Sequence, residues 1–139
     1  MSNNVYKKLH GYFVEDLSVG QSVSLLKKIT EKDIMVFSTL TGDNNPVHVN
    51  DDFAKKTIFK KRIAHGFLSA SLISTVIATK LPGPGSIYLS QNLKFLAPVF
   101  VDDEVVTKVT IKTIDLLKKR VLLITESFIS KKKLLLVKH

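Results

Sequence analysis

The spacing of apolar residues changes twice along this chain and divides it into three parts. In the first part the elements are short. A turn-rich patch at Glu15-Asp16-Leu17-Ser18-Val19-Gly20 gives way to alternation through Val23, Leu25 and Ile29, which predicts a strand. Thr30-Glu31-Lys32-Asp33 has the form of a helix N-cap with an acid three residues on. Ile34, Phe37 and Leu40 follow at helical spacing, and Gly42 is placed to end that helix in a left-handed conformation. Asn50 is a second candidate cap, for a short helix over 51–57.

The second part is one long segment, 66–80, that is apolar on nearly every face: Phe67, Leu68, Ala70, Leu72, Ile73, Val76, Ile77 and Ala78, interrupted only by small hydroxyl residues. A helix of that composition is expected to be buried, and Leu81-Pro82-Gly83-Pro84-Gly85 stops it. In the third part the period becomes two. Ile87, Leu89, Leu93, Phe95 and Ala97 would share one face of a strand over 87–97, with Gln91 interrupting it. Strands over 104–114 and 119–129 follow, then a charged turn at Lys131-Lys132-Lys133 and a short last strand over 134–137. Connections this short cannot hold crossover helices, so the sheet should be antiparallel. The expected class is α+β, an antiparallel sheet with one long helix against it.

At 139 residues the expected organisation is a single domain, 1–139, with 1–12 as a loose lead-in. The longest pure aliphatic run, Leu134 to Val137, is far too short to span a bilayer, and the first residues lack the apolar core of a signal peptide. With no cysteine there are no disulfides, thiolate metal sites or cysteine nucleophiles. A cytoplasmic protein without membrane contact is the simplest expectation. The net charge is +9, nearly all of it lysine, with Arg62 and Arg120 the only arginines. Such a balance suits phosphorylated or acidic partners, but no recognition-helix or aromatic-stacking pattern accompanies it, so no nucleic-acid partner is expected.

The residues able to carry chemistry gather in Gly42-Asp43-Asn44-Asn45-Pro46-Val47-His48. Pro46 restricts Asn45 to extended conformations, which favour a turn that brings Asp43 and His48 together. A carboxylate and an imidazole facing one cavity form an acid–base pair able to hold a water. The plainer alternative is an Asx-turn at Asp43 and a histidine capping nearby carbonyls. Gly66, at the start of the long helix, offers an N–H with no internal partner, suited to an oxygen that gains negative charge; equally, a glycine there permits a close helix–loop contact. His65 reads as structural rather than catalytic. The serines of the helix lack a nucleophile-elbow pattern, and the four histidines show no metal-ligand spacing, so neither a metal nor a cofactor is expected.

These residues together resemble a known family. Thr41-Gly42-Asp43-Asn44-Asn45-Pro46-Val47-His48, Phe53-Ala54, Ala64-His65-Gly66-Phe67-Leu68 and 91–99 are similar to the MaoC-like, (R)-specific enoyl-CoA hydratases. The resemblance implies a hot-dog fold, a curved antiparallel sheet wrapped around the long helix, and a homodimer with acyl tunnels near the interface. It implies Asp43 and His48 as the catalytic pair, Asn45 as loop support and the Gly66 N–H as the thioester-oxygen donor, with His65, Phe67 and Ser69 near the substrate. The implied reaction is reversible hydration of a trans-2-enoyl-CoA to a (3R)-3-hydroxyacyl-CoA. The rivals are a 3-hydroxyacyl-ACP dehydratase acting on acyl-ACP, a hot-dog thioesterase, and a non-catalytic acyl-binding subunit.

Overall fold

The computed structural model describes residues 2–130 and 134–138, with the backbone alone for residues 2–3 and 134–138; the charged turn at Lys131-Lys132-Lys133 lies outside the described residues. Helix α1 (Ser2–Leu9) opens the chain, so the expected loose lead-in contains a helix. The segment after it is stitched to the turn that ends the long helix: Gly11 N–H donates to Pro84 O and Tyr12 N–H to Pro82 O, both at 2.8 Å. A Cβ at Gly11 would run into Pro82 O, so this close approach requires glycine.

Strand β1 (Ser22–Lys28) leads into α2 (Glu31–Thr41). The start of α2 is a complete capping box: Thr30 Oγ1 accepts from Asp33 N–H at 3.1 Å, and Asp33 Oδ2 accepts from Thr30 N–H at 2.9 Å. That N–H, assisted by Lys27 at 3.1 Å, holds the Asp33 carboxyl below its ordinary range against the opposing effect of burial. Gly42 ends α2 with φ +79°, as its residue type anticipates. Two short helices follow, α3 (Pro46–Val49) and α4 (Asp51–Lys55), capped by the side chains of Asn45 and Asn50.

The long helix α5 spans Gly66–Thr79, with His65 as N-cap residue. It buries Ser69, Leu72, Ile73, Val76 and Ile77, positions three and four apart that form one stripe. Phe67, Ser71, Ser74, Thr75 and Ala78 stay open to solvent, so α5 is buried on one face rather than all round. The reason is that the sheet covers one side of it.

That sheet comprises β1, β2 (Lys94–Phe95), β3 (Glu104–Asp115), β4 (Arg120–Ile129) and β5 (Leu134–Lys138), in the order β1-β3-β4-β5-β2. Every neighbouring pair is antiparallel; short connections account for this in β3–β4 and β4–β5, while β1–β3 and β5–β2 join strands distant in the chain. Ile73 and Val76 of α5 meet Val105 and Val109 of β3 in the core, all four fully enclosed. Each such side chain contributes about 1.5–3 kcal/mol relative to exposure. The strand expected over 87–97 shrinks to the two residues of β2, which pair with Val137 and Lys138. The period-two pattern is present, but β5 reaches only its end, and Ile87 is left 83% and Leu89 67% exposed. Among the described residues no helix is long and apolar enough to cross a membrane.

Candidate active site

The loop between α2 and α3 is held by bonds made within a few residues of it. Asp43 Oδ1 accepts from Asn45 N–H at 3.2 Å, an Asx-turn. Asn45 Oδ1 accepts from Val47 N–H at 3.2 Å and so caps α3, and Asn45 O accepts from His48 N–H at 2.9 Å. The Asp43 carbonyl is gripped twice, by Ser38 Oγ at 2.8 Å and by His65 Nε2 at 2.9 Å. Ser38, at the buried face of α2, was not singled out by sequence. Its only sequence signal is a hydroxyl on the last turn of a helix, five residues before the acid.

His48 is buried in α3, and its Nδ1 lies 2.7 Å from Ile63 O. A carbonyl can only accept, so Nδ1 carries the proton and neutral His48 keeps a free lone pair on Nε2. Ile63 is fixed in turn by its N–H to Val47 O at 3.2 Å, and the next residue by Ala64 N–H to Val99 O at 2.7 Å. Burial depresses the His48 pKa below 6.5; the Ile63 carbonyl opposes this, proximity to His65 adds to it and Asp43 opposes it. His48 is therefore neutral at pH 7. The plainer expectation of an Asx-turn and a carbonyl-capping histidine describes these bonds correctly. It does not compete with the chemical one, because the Asx-turn uses one acceptor of Asp43 and the cap uses only Nδ1.

Asp43, His48 and His65 offer donor atoms that all lie within 4.8 Å of one another, a convergence that spacing along the chain does not reveal. The rings of His48 and His65 stack with centroids 3.9 Å apart and planes 30° apart. Stacked rings send their in-plane lone pairs side by side rather than to one point, a poor arrangement for a metal ion. No direct hydrogen bond joins Asp43 to His48 among the described residues. A water about 2.8 Å from each of two acceptors can bridge groups up to roughly 5.6 Å apart, and a donor atom of Asp43 and one of His48 lie within 4.8 Å.

Gly66 begins α5, and no group among the described residues accepts its N–H. A Cβ there would lie 3.0 Å from the Phe95 ring, so the glycine also serves the close contact of the alternative reading. Beside it is a cavity of about 310 Å³ lined by Phe59, Ala64, Gly66, Ser69, Phe95 and neighbours. Ser69 lines this cavity and its hydroxyl has no partner among the described residues. Phe67 is 67% exposed against Phe95, 5.9 Å between centroids. His65, expected near substrate, is only 2% exposed and offers a ligand no surface; its position between the Asp43 carbonyl, the His48 ring and the Phe37 ring explains why. Arg62, the arginine nearest the motif, is spent on Glu31 at 2.6 Å and Asp51 at 2.8 Å, tying α2 to α4. A larger cavity, about 690 Å³, lies at the other end of α5 and includes none of these residues.

An antiparallel sheet laid along one long helix, with an acid–imidazole site at the helix's first turn, defines an α+β protein of the hot-dog class. The chain belongs to the family described as MaoC like domain, whose profile matches residues 17–131. It is 55% identical over 100 residues to an (R)-specific enoyl-CoA hydratase of Rhodospirillum rubrum, covering 72% of this chain and 69% of that one. It is 47% identical over 104 residues to a 3-hydroxybutyryl-CoA dehydratase of Methylorubrum extorquens, covering 75% and 66%. The chain thus spans about two thirds of the length of these relatives. Among solved structures, the (R)-hydratase from A. caviae involved in PHA biosynthesis superposes with a TM-score of 0.86 at 40% identity, over 89% of this chain and 93% of that one.

Proposed function

We propose that this chain is an (R)-specific enoyl-CoA hydratase. It adds water reversibly to a trans-2-enoyl-CoA and yields the (3R)-3-hydroxyacyl-CoA. Asp43 and neutral His48 hold the water between them; Asp43 takes one proton as the oxygen forms its bond to C3. The C2–C3 π electrons move toward the thioester, whose oxygen gains negative charge and accepts from the Gly66 N–H. A proton returned from the dyad to C2 completes the addition, and the reverse sequence expels water. The observation that carries this reading is the approach of the Asp43 carboxylate and the His48 imidazole to within 4.8 Å, unbonded to each other, with His65, which touches both, joined in sequence to Gly66, whose N–H no group among the described residues accepts.

Loss of enoyl-thioester absorbance with crotonyl-CoA and a longer enoyl-CoA, followed by chiral analysis of the product, tests this. Release of free thiol without hydration would make the protein a thioesterase, and binding without turnover would make it an acyl-binding subunit. The net charge of +9 suits the phosphates of CoA and an acidic carrier protein alike, so rates on crotonyl-CoA and crotonyl-ACP decide between hydratase and carrier-dependent dehydratase. The active form in this reading is a homodimer. The exposed apolar side chains Ile87, Leu89, Phe95 and Leu96, around the unpaired edge of β2, support that assembly. Light scattering on the purified protein gives its mass directly.

A further inference from the structure

Two buried groups around Asp43, His65 and Ser38, do no chemistry in the reaction just described, and His65 touches both members of the pair. His65 donates through Nε2 to the Asp43 carbonyl, and the same ring lies flat against His48 at 3.9 Å. The ring of Phe37 lies 4.8 Å from it, tilted 53°, so His65 packs against two aromatic neighbours. Ser38, on α2, supplies the second donor to the same carbonyl. The remaining nitrogen of His65, Nδ1, is buried and has no hydrogen-bond partner among the described residues. Its two contacts with the pair, the bond to the Asp43 main chain and the stack on His48, are contacts that fix position.

We propose that His65, with Ser38, is the positioning residue that sets the separation of Asp43 from His48. The inference rests on the hydratase reading, because it assigns His65 a role through the two residues that reading makes catalytic. The physical reason is rigidity. Asp43 is exposed on a loop, and among the described residues its own carboxylate is tethered only by the Asn45 N–H at 3.2 Å. His48 is fixed from the opposite side by Ile63. Without a common anchor the two would drift independently, and the water held between them would lose one of its bonds for part of the time. A single ring bonded to the main chain of one and stacked on the other turns two separate positions into one. Misplacement of a reacting group by about 1 Å costs on the order of a hundredfold in rate.

Three variants separate the donor from the ring. His65→Phe keeps a flat ring between His48 and Phe37 but removes the donor to Asp43 O. His65→Gln keeps a donor of similar reach but removes the stack. Ser38→Ala removes the other donor alone. The expected result is a fall in kcat of about a hundredfold for His65→Phe and about tenfold for Ser38→Ala, with KM for crotonyl-CoA within twofold. His65→Gln should recover part of the loss seen with His65→Phe. A KM rise with unchanged kcat would make His65 a substrate contact and overturn the proposal. So would wild-type kcat in a folded His65→Phe. If His65→Phe does not fold, Ser38→Ala carries the test, and wild-type kcat there overturns the two-donor grip. Asp43→Asn run beside them keeps the base reading separate: an active Asp43→Asn sinks the hydratase mechanism itself, whereas an inactive Asp43→Asn with fully active His65 and Ser38 variants sinks only the positioning role.

Discussion

At its first turn α5 meets a neighbourhood held by the chain's own polar groups: an Asx-turn, two asparagine caps, and two histidines each with one nitrogen on a carbonyl. At its last turn the same helix meets a 690 Å³ cavity and the segment 86–91, which carries Ile87 and Leu89 into solvent and is tied to the sheet chiefly by Gln91 Nε2 on Thr125 Oγ1 at 3.1 Å. In the proposed homodimer the contrast teaches that one end is specified by the single chain and the other is completed by a second copy. Substitutions at the first end should therefore remove turnover and spare assembly, while substitutions at the second should do the opposite.

The largest effect belongs to the dyad. Asp43→Ala and His48→Ala should each lower kcat by a factor of about 10²–10⁴ while the mass by light scattering stays that of the unaltered protein. His48→Ala also leaves Ile63 O without its donor, at a cost of about 1–3 kcal/mol of stability. Gly66→Ala comes next, at about a hundredfold or more, because its Cβ would sit 3.0 Å from Phe95 and push the ring or the helix start aside. Pairing it with Phe95→Ala separates the two causes. Recovery of rate in the double variant means the methyl acted by crowding, and no recovery means the N–H itself lost its aim.

At the other end, Ile87→Glu combined with Leu89→Glu should weaken self-association by at least about tenfold, since each charge replaces an apolar side chain at the proposed interface. Light scattering across a dilution series measures it. A protein that stays a monomer before and after the change removes the assembly from the proposal and leaves the exposed apolar segment without an explanation. Loss of turnover at concentrations where the variant is still dimeric would instead break the comparison, by showing that the far end reaches the site.

The same division decides what could be read from the sequence. Thr30, Gly42 and Asn50 act on neighbours three residues away or through their own φ, so residue type and spacing announced them; Asn45 was expected as loop support through the family resemblance alone, and its cap on α3 was not foreseen. Asp43 and His48 were singled out from the loop between them, Gly66 from its place at the helix start, and all three through the family resemblance; their roles remain those of the proposal. The His48–His65 stack was not legible, because it joins residues separated by a helix and a loop whose packing no local pattern encodes, and the Ser38 grip was not, because a hydroxyl on a last helical turn does not by itself say which carbonyl it reaches. The strand over 87–97 was misjudged for the complementary reason. Alternation describes the faces a strand would show, whereas a strand exists only where another backbone pairs with it. Within one chain only Lys94 and Phe95 find that partner.

The pH profile sharpens the account of the first end. His48 is held below 6.5 mainly by burial, and the base-competent form is the neutral one. Activity is thus retained at pH 7 and lost as pH falls through the lowered value, so the acid limb of kcat/KM should have its midpoint below 6.5. An acid limb at or above 7 would mean that the imidazole is solvated and that the site is looser than its bonds suggest.

The smallest effect on turnover is expected from Thr30→Ala, which is why it is informative. Thr30 and Asp33 exchange two hydrogen bonds at the start of α2, and losing such a cap costs about 1 kcal/mol. The same helix carries Ser38 on its buried face and ends at Gly42, next to Asp43. If the site is held locally, by the grip on the Asp43 carbonyl and the stack on His48, then fraying the far turn of α2 should lower the unfolding midpoint and leave kcat unchanged for the folded fraction. Should kcat fall together with stability, Asp43 takes its position from the whole of α2. The rigidity assigned to the first end of α5 would then be a property of the packed helices and not of the loop between them.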